Sequence, residues 1–580
     1  MNEHALTRLV FKYRSSFMVL GVFSIFFNIL VLTMPIYMLT VFSHVMTSRS
    51  QETLTLLTVA AIVALIIQGL LDFIRSRILV RIGLTLDMEL TPQVVEAIVR
   101  HAAGSAERNS QRLRDAAELR NFLTGTGIFN LFDAPFVPFY VLVIYLMHPM
   151  LGHLALFGSL LLFAIAVVNE LITRKPVKSA LADNHRTQQR VDEFVRNADA
   201  IEAMGMMPAV IEQWRMQNNT SLMSLNKGAD TASYMQGLAK FVRFLIQVLL
   251  YGVGAYLFLQ EELMTGAIIA SSILMGRALA PVEAAISTWK NMVGAKNAFD
   301  RLKEILAPER LEPYRNRMSL PTPEGRLQLE RVVVMAPGTD RMTLKGVGFA
   351  IEPGDFLGVV GPSGAGKSTL AKLIVGILRP KSGSARLDGV DLASWHPDEL
   401  GQHVGYLPQD VQLFNGTVRE NIARLSRNND PEAVIDAAKK VGMHETILQL
   451  PNGYDTNIGD GGAMLSAGQR QHLGLARALY GNPRLLILDE PNSNLDSVSE
   501  EALLKTLEAA KKEGITIVVI THRPSILQSA DKMLMLRNGM VEMFGTRAQI
   551  MQKITAPSGM QQPANKEQNA PKLMAQGESR

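Results

Sequence analysis

No cysteine occurs in the 580-residue sequence. That absence excludes disulfides, thiolate nucleophiles and cysteine-ligated metal centres, and it suits a chain facing the cytosol. A strong charge of either sign is missing as well. The formal net charge is +5, and the basic residues stand beside apolar segments instead of forming a separate patch. Nucleic acid is therefore not an expected partner. A small-residue cleavage site is also missing near the start, where Arg8, Lys12 and Arg14 precede an apolar run too long for a signal-peptide core. A retained first membrane helix is expected there.

What is present is unevenly spread. Hydrophobic residues make up 48% of the chain, close to a soluble average. The first half nevertheless holds long apolar runs, while the second half alternates like a soluble α/β protein. The length itself predicts two or more domains. Six segments match the roughly 20 residues a bilayer requires: 16–42, 54–72, 130–148, 150–169, 244–260 and 263–285. The third is short and carries Pro135 and Pro138, which a membrane helix tolerates where neighbours satisfy the freed backbone.

Charge placement predicts the topology. Arg75, Arg77 and Arg81 follow the second segment, and Arg174, Lys175 and Lys178 follow the fourth. Lys240 and Arg243 precede the fifth, and Lys290 and Lys296 follow the sixth. The opposite connections, SHVMTSRSQE, HPM and EE, carry only Arg49. The positive-inside rule then puts both termini in the cytoplasm. Residues 73–130 and 174–243 are too long for turns and predict helices running out of the membrane.

The expected domains are a transmembrane domain over 1–306, a linker over 307–325, a nucleotide-binding domain over 326–556 and a disordered tail over 557–580. The linker, APERLEPYRNRMSLPTPEG, holds Pro and Arg, and the tail is rich in Gln, Lys, Pro and Asn. From Leu327 onward short β-rich runs alternate with helical patterns, which predicts a largely parallel sheet flanked by helices.

GPSGAGKST (361–369) follows the strand-like run FLGVV and opens the helical run KSTLAKLIVGIL. It matches G-x-x-x-x-G-K-[ST]. Gly361, Gly364 and Gly366 let backbone N–H groups converge on phosphate oxygens, Lys367 neutralises the β and γ charges, and Ser368 ligates Mg²⁺. The helix N-terminus adds partial positive charge. RLLILDEP (484–491) predicts a buried strand that delivers Asp489 to Mg²⁺ and sets Glu490 one residue on, where it polarises a water. ITIVVI (515–520) predicts a third strand ending at Thr521 and His522, on the sheet edge where ligands bind.

With these motifs in place the chain resembles an ABC transporter over nearly all its length. LSAGQ (465–469) resembles that family's signature motif, Gln409 in YLPQD its Q-loop, Ser493–Asp496 its D-loop and His522 its H-loop. The resemblance implies an all-α six-helix transmembrane domain fused to an α/β P-loop ATPase. It also implies that Pro362, Ser363, Ala365 and Thr369 join the glycines in the nucleotide cradle. Ser466, Ala467, Gly468, Gln469 and Asp496 would then reach ATP held by the opposite subunit. Gln409 is implied both in hydrolysis and at Mg²⁺. Since each composite site needs two ATPase domains and the sequence holds one, a homodimer is expected.

Two departures stand out. Ala467 occupies a position that is usually glycine. Ala336, in MAPGTD, occupies the place of the aromatic that stacks on adenine.

The stretches MPIYMLTVFSHVMTSRSQETL, LFDAPFVPFYVLVIYLMHPMLG, IEAMGMMPAVIEQW, GRALAPVE and DEPNSNLD resemble type I secretion ATPase/permeases, nearest their protease-exporter branch. That implies export of an unfolded polypeptide with an uncleaved C-terminal signal through the bacterial inner membrane. A periplasmic membrane-fusion adaptor, an outer-membrane channel and membrane lipid are the implied partners. The chain begins almost at its first span, so no N-terminal peptidase domain is expected. A lipid or drug exporter is the rival reading, and an ATP-gated channel a second, against which Glu490 and His522 weigh. MGMM (204–207) is either ordinary core or an element docking on the ATPase near Gln409. Arg277, inside the sixth span, is expected to line the translocation path, with Glu283 as a candidate partner, or else to snorkel.

Overall fold

A computed structural model describes residues 12–104, 111–125, 127–307 and 320–555, apart from 337, 340, 427, 428 and 494. The expected tail over 557–580 lies outside the described residues. The chain falls into two compact units divided within 308–319.

The first unit is helical, and six of its helical stretches are long and apolar enough to cross a membrane: Arg14–Ser48, Gln51–Ala103, Gly127–Met147, Pro149–Pro176, Ala229–Leu259 and Thr265–Ile286. They coincide with the six expected segments. Local chemistry marks the breaks between them. Helices α1 (Arg14–Leu30) and α2 (Thr33–Thr40) run into a π-helical turn, Val41–Val45, and Arg49 turns the chain in a left-handed conformation. Helix α3 (Gln51–Gly104) carries the second span and the stretch that follows it in one continuous helix.

After α4 (Gln111–Thr124), the third span is interrupted where its prolines fall. Helix α5 (Gly127–Asp133) gives way to a 3₁₀ turn, Ala134–Phe136, before α6 (Val137–Met147) resumes. His148 leaves the helical region, accepts a hydrogen bond from the Met150 amide, and Pro149 starts α7 (Pro149–Arg196) at the position where a missing N–H costs nothing. Helices α8 (Ala198–Ala203), α9 (Met207–Leu259) and α10 (Thr265–Ile305) complete the unit. The stretches 73–130 and 174–243 are thus largely helical, as their length required.

Three polar clusters inside this unit are not visible in hydropathy. Arg75, read as a charge beyond the second span, is instead buried at 1% exposure and donates to Asp133 at 3.3 Å. Its guanidinium lies 4.3 Å from the Phe27 ring centroid and 4.7 Å from that of Phe129. Asn28 donates to the same Asp133 at 2.9 Å and accepts from the Tyr140 hydroxyl at 2.7 Å. Arg301 grips the buried Asp115 with two bonds, 2.6 and 2.9 Å. Glu283 pairs with Arg243 of α9 at 2.6 Å, which corrects its candidate pairing with Arg277. With 3.6 residues per turn, the spacing of Arg277 and Glu283 puts them on different faces of α10. Arg277 is exposed in this unit, as are Met204, Met206 and Met207, so MGMM is not core of this protomer.

The second unit holds two sheets. The six-stranded one has the order β10-β9-β3-β8-β7-β6, with β3 Phe356–Val360, β6 Val404–Leu407, β7 Leu485–Asp489, β8 Thr516–Ile520, β9 Lys532–Arg537 and β10 Met540–Thr546. All its pairings are parallel except β10 with β9. Every residue of β7 and β8 is buried, as expected for strands covered on both faces. A second sheet, β2-β1-β4-β5, is antiparallel throughout. It comprises β1 Leu327–Met335, β2 Met342–Ile351, β4 Ser382–Leu387 and β5 Val390–Asp391. The largely parallel expectation therefore covers only one of the two sheets.

Candidate active site

The parallel neighbours β3, β8, β7 and β6 deliver their following residues to one sheet edge. Residues 361–369 follow β3, Asp489 and Glu490 close β7, Thr521 and His522 follow β8, and Gln409 follows β6. Four separate sequence motifs are brought together by parallel pairing alone.

The loop after β3 leads into helix α11 (Lys367–Ile374), with Gly366 at its N-cap. Two glycines show opposite demands. At Gly361 a Cβ would meet the Leu536 carbonyl oxygen at 2.2 Å, so strand packing excludes a side chain. At Gly364 nothing lies within 4 Å, and the left-handed φ of 76° turns the bare backbone toward open space. Pro362 and Ser363 are exposed, Ala365 is buried, and Thr369 is partly covered on α11. The Lys367 ammonium is folded back on the loop, donating to the Gly361 and Pro362 carbonyls at 2.7 and 3.1 Å. Burial pushes its pKa down, opposed by the charges of Glu490 and Asp489.

Asp489 is 2% exposed, and its Oδ1 has no hydrogen-bond partner. Burial pushes its carboxyl pKa up, while the Ser368 hydroxyl holds it down. A buried carboxylate oxygen without a partner is costly unless a cation meets it. The Ser368 hydroxyl that bonds it is a second hard oxygen, the kind of donor Mg²⁺ takes. The residues present fit that ion.

Glu490 adopts a left-handed φ of 50°, strain that a non-glycine residue accepts only where its surroundings fix it. Its amide donates to the Ile520 carbonyl at 2.9 Å. Its side chain accepts from Gln409 Nε2 at 3.0 Å and lies 3.8 Å from His522 Nε2. Two further residues hold this corner. Gln471, 2% exposed, donates to the Pro491 carbonyl at 3.0 Å. The buried hydroxyl of Thr521, expected at this edge, donates to the Asn492 side chain at 3.0 Å. Gln471 was passed over, and a second glutamine after LSAGQ was the available signal. Burial pushes the nearby Tyr406 pKa up to about 12, so its hydroxyl stays neutral.

Among the described residues, the LSAGQ side chains make no hydrogen bond to this edge; Ser466 and Gln469 bond to each other. Ser466 caps helix α14 (Ala467–Leu479), which lies further along the chain than α12 (Pro397–His403) and α13 (Val418–Ile422). Its hydroxyl accepts from the Gln469 amide at 3.2 Å, and the Gln469 side chain accepts from the Ser466 amide at 2.9 Å. Ser466 and Ala467 are exposed and Gly468 partly so. Asp496 caps α15 (Ser497–Lys512), accepting from the Ser499 amide at 2.9 Å. Ala336 stands where β1 turns toward β2, its amide donating to the Arg341 carbonyl at 2.8 Å.

Comparison with known proteins matches residues 344–493 to the family described as ABC transporter and residues 17–281 to the ABC transporter transmembrane region. The chain is 40% identical over 569 residues to the type I secretion system ATP-binding protein PrsD of Rhizobium meliloti (strain 1021), covering 97% of this chain and 96% of that one. It is 30% identical to the toxin RTX-I translocation ATP-binding protein of Actinobacillus pleuropneumoniae, covering 93% of this chain and 77% of that one. It is likewise 30% identical to the leukotoxin translocation ATP-binding protein LktB of Mannheimia haemolytica, with 94% and 77% covered. Among solved structures it resembles a bacterial Atm1-family ABC exporter with ATP bound, with a TM-score of 0.77 at 21% identity over 94% of this chain and 97% of that one. That likeness bears on the fold alone.

Proposed function

Because the chain belongs to the ABC transporters, among the type I secretion ATPase/permeases, we propose that it exports unfolded polypeptides across the bacterial inner membrane as an ATP-driven homodimer. Near full-length likeness to a type I secretion protein supports the cargo class, and likeness to toxin translocators agrees with it. A periplasmic membrane-fusion adaptor and an outer-membrane channel complete the route, and both termini lie in the cytoplasm. The domain limits 1–306 and 326–556 describe the two working parts.

One observation carries the dimer: Ser466 and Ala467 lie exposed at a capped helix N-terminus, open to a second copy. In the proposed cycle, the loop 361–369 of one copy binds ATP, and its Lys367 leaves the Gly361 and Pro362 carbonyls for the β and γ phosphates. Ser466, Ala467, Gly468 and Gln469 of the second copy close over the γ-phosphate, with Asp496 nearby. Glu490, aimed by Gln409, takes a proton from the attacking water as the bond between γ-phosphorus and the bridging oxygen breaks. His522 stands beside the same carboxylate to hold the γ-phosphate. Ser368, Asp489 and Gln409 would hold Mg²⁺, which supplies positive charge at the β and γ oxygens when bound. Nucleotide closure moves the spans, and MGMM, exposed between α8 and α9, couples the two parts.

The test compares proteins secreted by cells making the native chain, the Glu490→Gln variant or neither. A polypeptide released only with the native chain is expected. Identical secreted sets would refute polypeptide export, and altered lipid or drug efflux instead would favour the rival cargo.

A further inference from the structure

The segment after Gln409 is laid along the signature helix α14. At Gly474 a Cβ would fall 2.7 Å from the Val411 side chain and 2.9 Å from that of Leu407, so these two side chains fill the space over the glycine. One turn further along, Arg477 donates to the Gln412 carbonyl at 3.0 Å, and its guanidinium lies 5.6 Å from the Phe414 ring centroid. Phe414 is fixed in turn by Asn421 of α13, which is fully buried and exchanges two 2.9 Å hydrogen bonds with its backbone. Arg424 holds the end of the same helix, donating at 3.0 Å to the carbonyls of Arg477 and of Ala478, and also to Gly401. Gln471, on α14 as well, holds the Pro491 carbonyl beside Glu490.

The signature helix therefore grips its own chain's hydrolytic corner twice, once through Gln471 and once through Arg477 and the Gln409 segment. In the homodimer proposed above, that corner belongs to one ATP site, while Ser466 at the other end of the helix belongs to the second. We propose that Arg477 is a positioning residue that locks the Gln409 segment to the signature helix, so that the two ATP sites hydrolyse as a coupled pair. A shift of Gln409 when Glu490 engages water pulls the Gln412 carbonyl and Phe414. Arg477 passes that shift to α14, whose C-terminal carbonyls Arg424 also holds. Arginine suits the task, since its planar fork donates to a carbonyl while its face meets an aromatic ring. This rests on the homodimer reading.

The experiment uses full-length chains carrying two different affinity tags, purified in sequence so that only mixed dimers remain, one protomer native and one Glu490→Gln. Coupled sites should leave the mixed dimer at least about tenfold below the native rate, in line with ordinary coupling energies. With Arg477→Ala in both protomers, the mixed dimer should recover to about half the rate of its own Arg477→Ala homodimer, as independent sites require. Arg477→Lys, which keeps a donor and loses the planar face, should fall between, and so should Phe414→Leu, at a side chain that is 51% exposed. A merely structural arginine would lower both dimers together and leave the ratio unchanged, which overturns the proposal. Native mixed dimers already at half the native rate overturn it too. Failure to recover any mixed dimer would instead count against the homodimer itself.

Discussion

In the ATPase unit, β7 and β8 bury every residue, and the polar groups wait at the strand ends. In the membrane unit, the most apolar window of the second span buries nothing inside the protomer, while Arg75, Asn28 and Asp115 are among the residues fully enclosed. Apolar side chains are turned inward in one half and outward in the other, as suits spans whose neighbour is lipid instead of water. Polar groups consequently do different work. At the sheet edge they stay available for ATP, and between helices they fix which spans meet and in what register.

The sharpest way to break this comparison is at the sheet edge. Glu490→Gln should keep nucleotide binding and lower turnover by at least ~10²-fold, the usual contribution of a positioned base. Near-normal hydrolysis by that variant would remove Glu490 from the mechanism. Lys367→Ala should act differently and weaken binding itself, since it deletes the charge meeting the phosphates; nucleotide titrations separate the two effects.

Next in size comes the membrane clip. Asp133→Ala strands the Arg75 guanidinium among Phe27 and Phe129, and should destabilise the purified chain by roughly 3–5 kcal/mol. Replacing both residues, Arg75→Met with Asp133→Leu, should restore most of that loss. A thermal melt of the three proteins decides, and an Asp133→Ala protein as stable as the native chain would mean the pair specifies nothing.

These two sites also show what sequence makes visible. The ATP edge was legible because its chemistry needs particular residues at fixed spacing, as in GPSGAGKS and ILDEP, each beside a strand of plain apolar residues. Pro135 and Pro138 were visible in the third span, but they were expected to be tolerated, and the 3₁₀ turn at Ala134–Phe136 came only with the structure. Arg75 was not legible, since a charge one turn past an apolar run looks the same whether it meets headgroups or Asp133 of another helix. The pairing of Glu283 with Arg243, and the grip of Gln471 on Pro491, likewise join residues that no local pattern links. The antiparallel sheet escaped even though β1 and β2 alternate buried with more exposed residues, unlike the wholly buried β7 and β8, because the pairing direction of a strand is not written in its own run.

A smaller effect is expected at Ala336. Base stacking on an aromatic contributes on the order of 1–3 kcal/mol, so Ala336→Tyr should lower the KM for ATP several-fold with little change in kcat, and the native chain should accept GTP. Saturation curves for both nucleotides check this; tight adenine selectivity that tyrosine does not improve would mean another side chain covers the base. Smaller again, Arg301→Lys should cost about 1 kcal/mol, because it keeps the charge on Asp115 and loses one of two bonds. A loss as large as that of Asp133→Ala would show the fork, not the charge, to be what Asp115 requires.

The claim on which the account turns is that the ATP site is completed by a second copy, and the absence of cysteine makes it directly measurable. Ser363→Cys and Ser466→Cys, each introduced into the otherwise cysteine-free chain, place one thiol in the loop and one at the signature helix. With Glu490→Gln, ATP and Mg²⁺, a short bis-maleimide should join one chain's Cys at 363 to the other's at 466. The product should run at twice the chain mass and be absent without nucleotide. A crosslink formed only within single chains, or none between chains in the presence of ATP, would contradict the account.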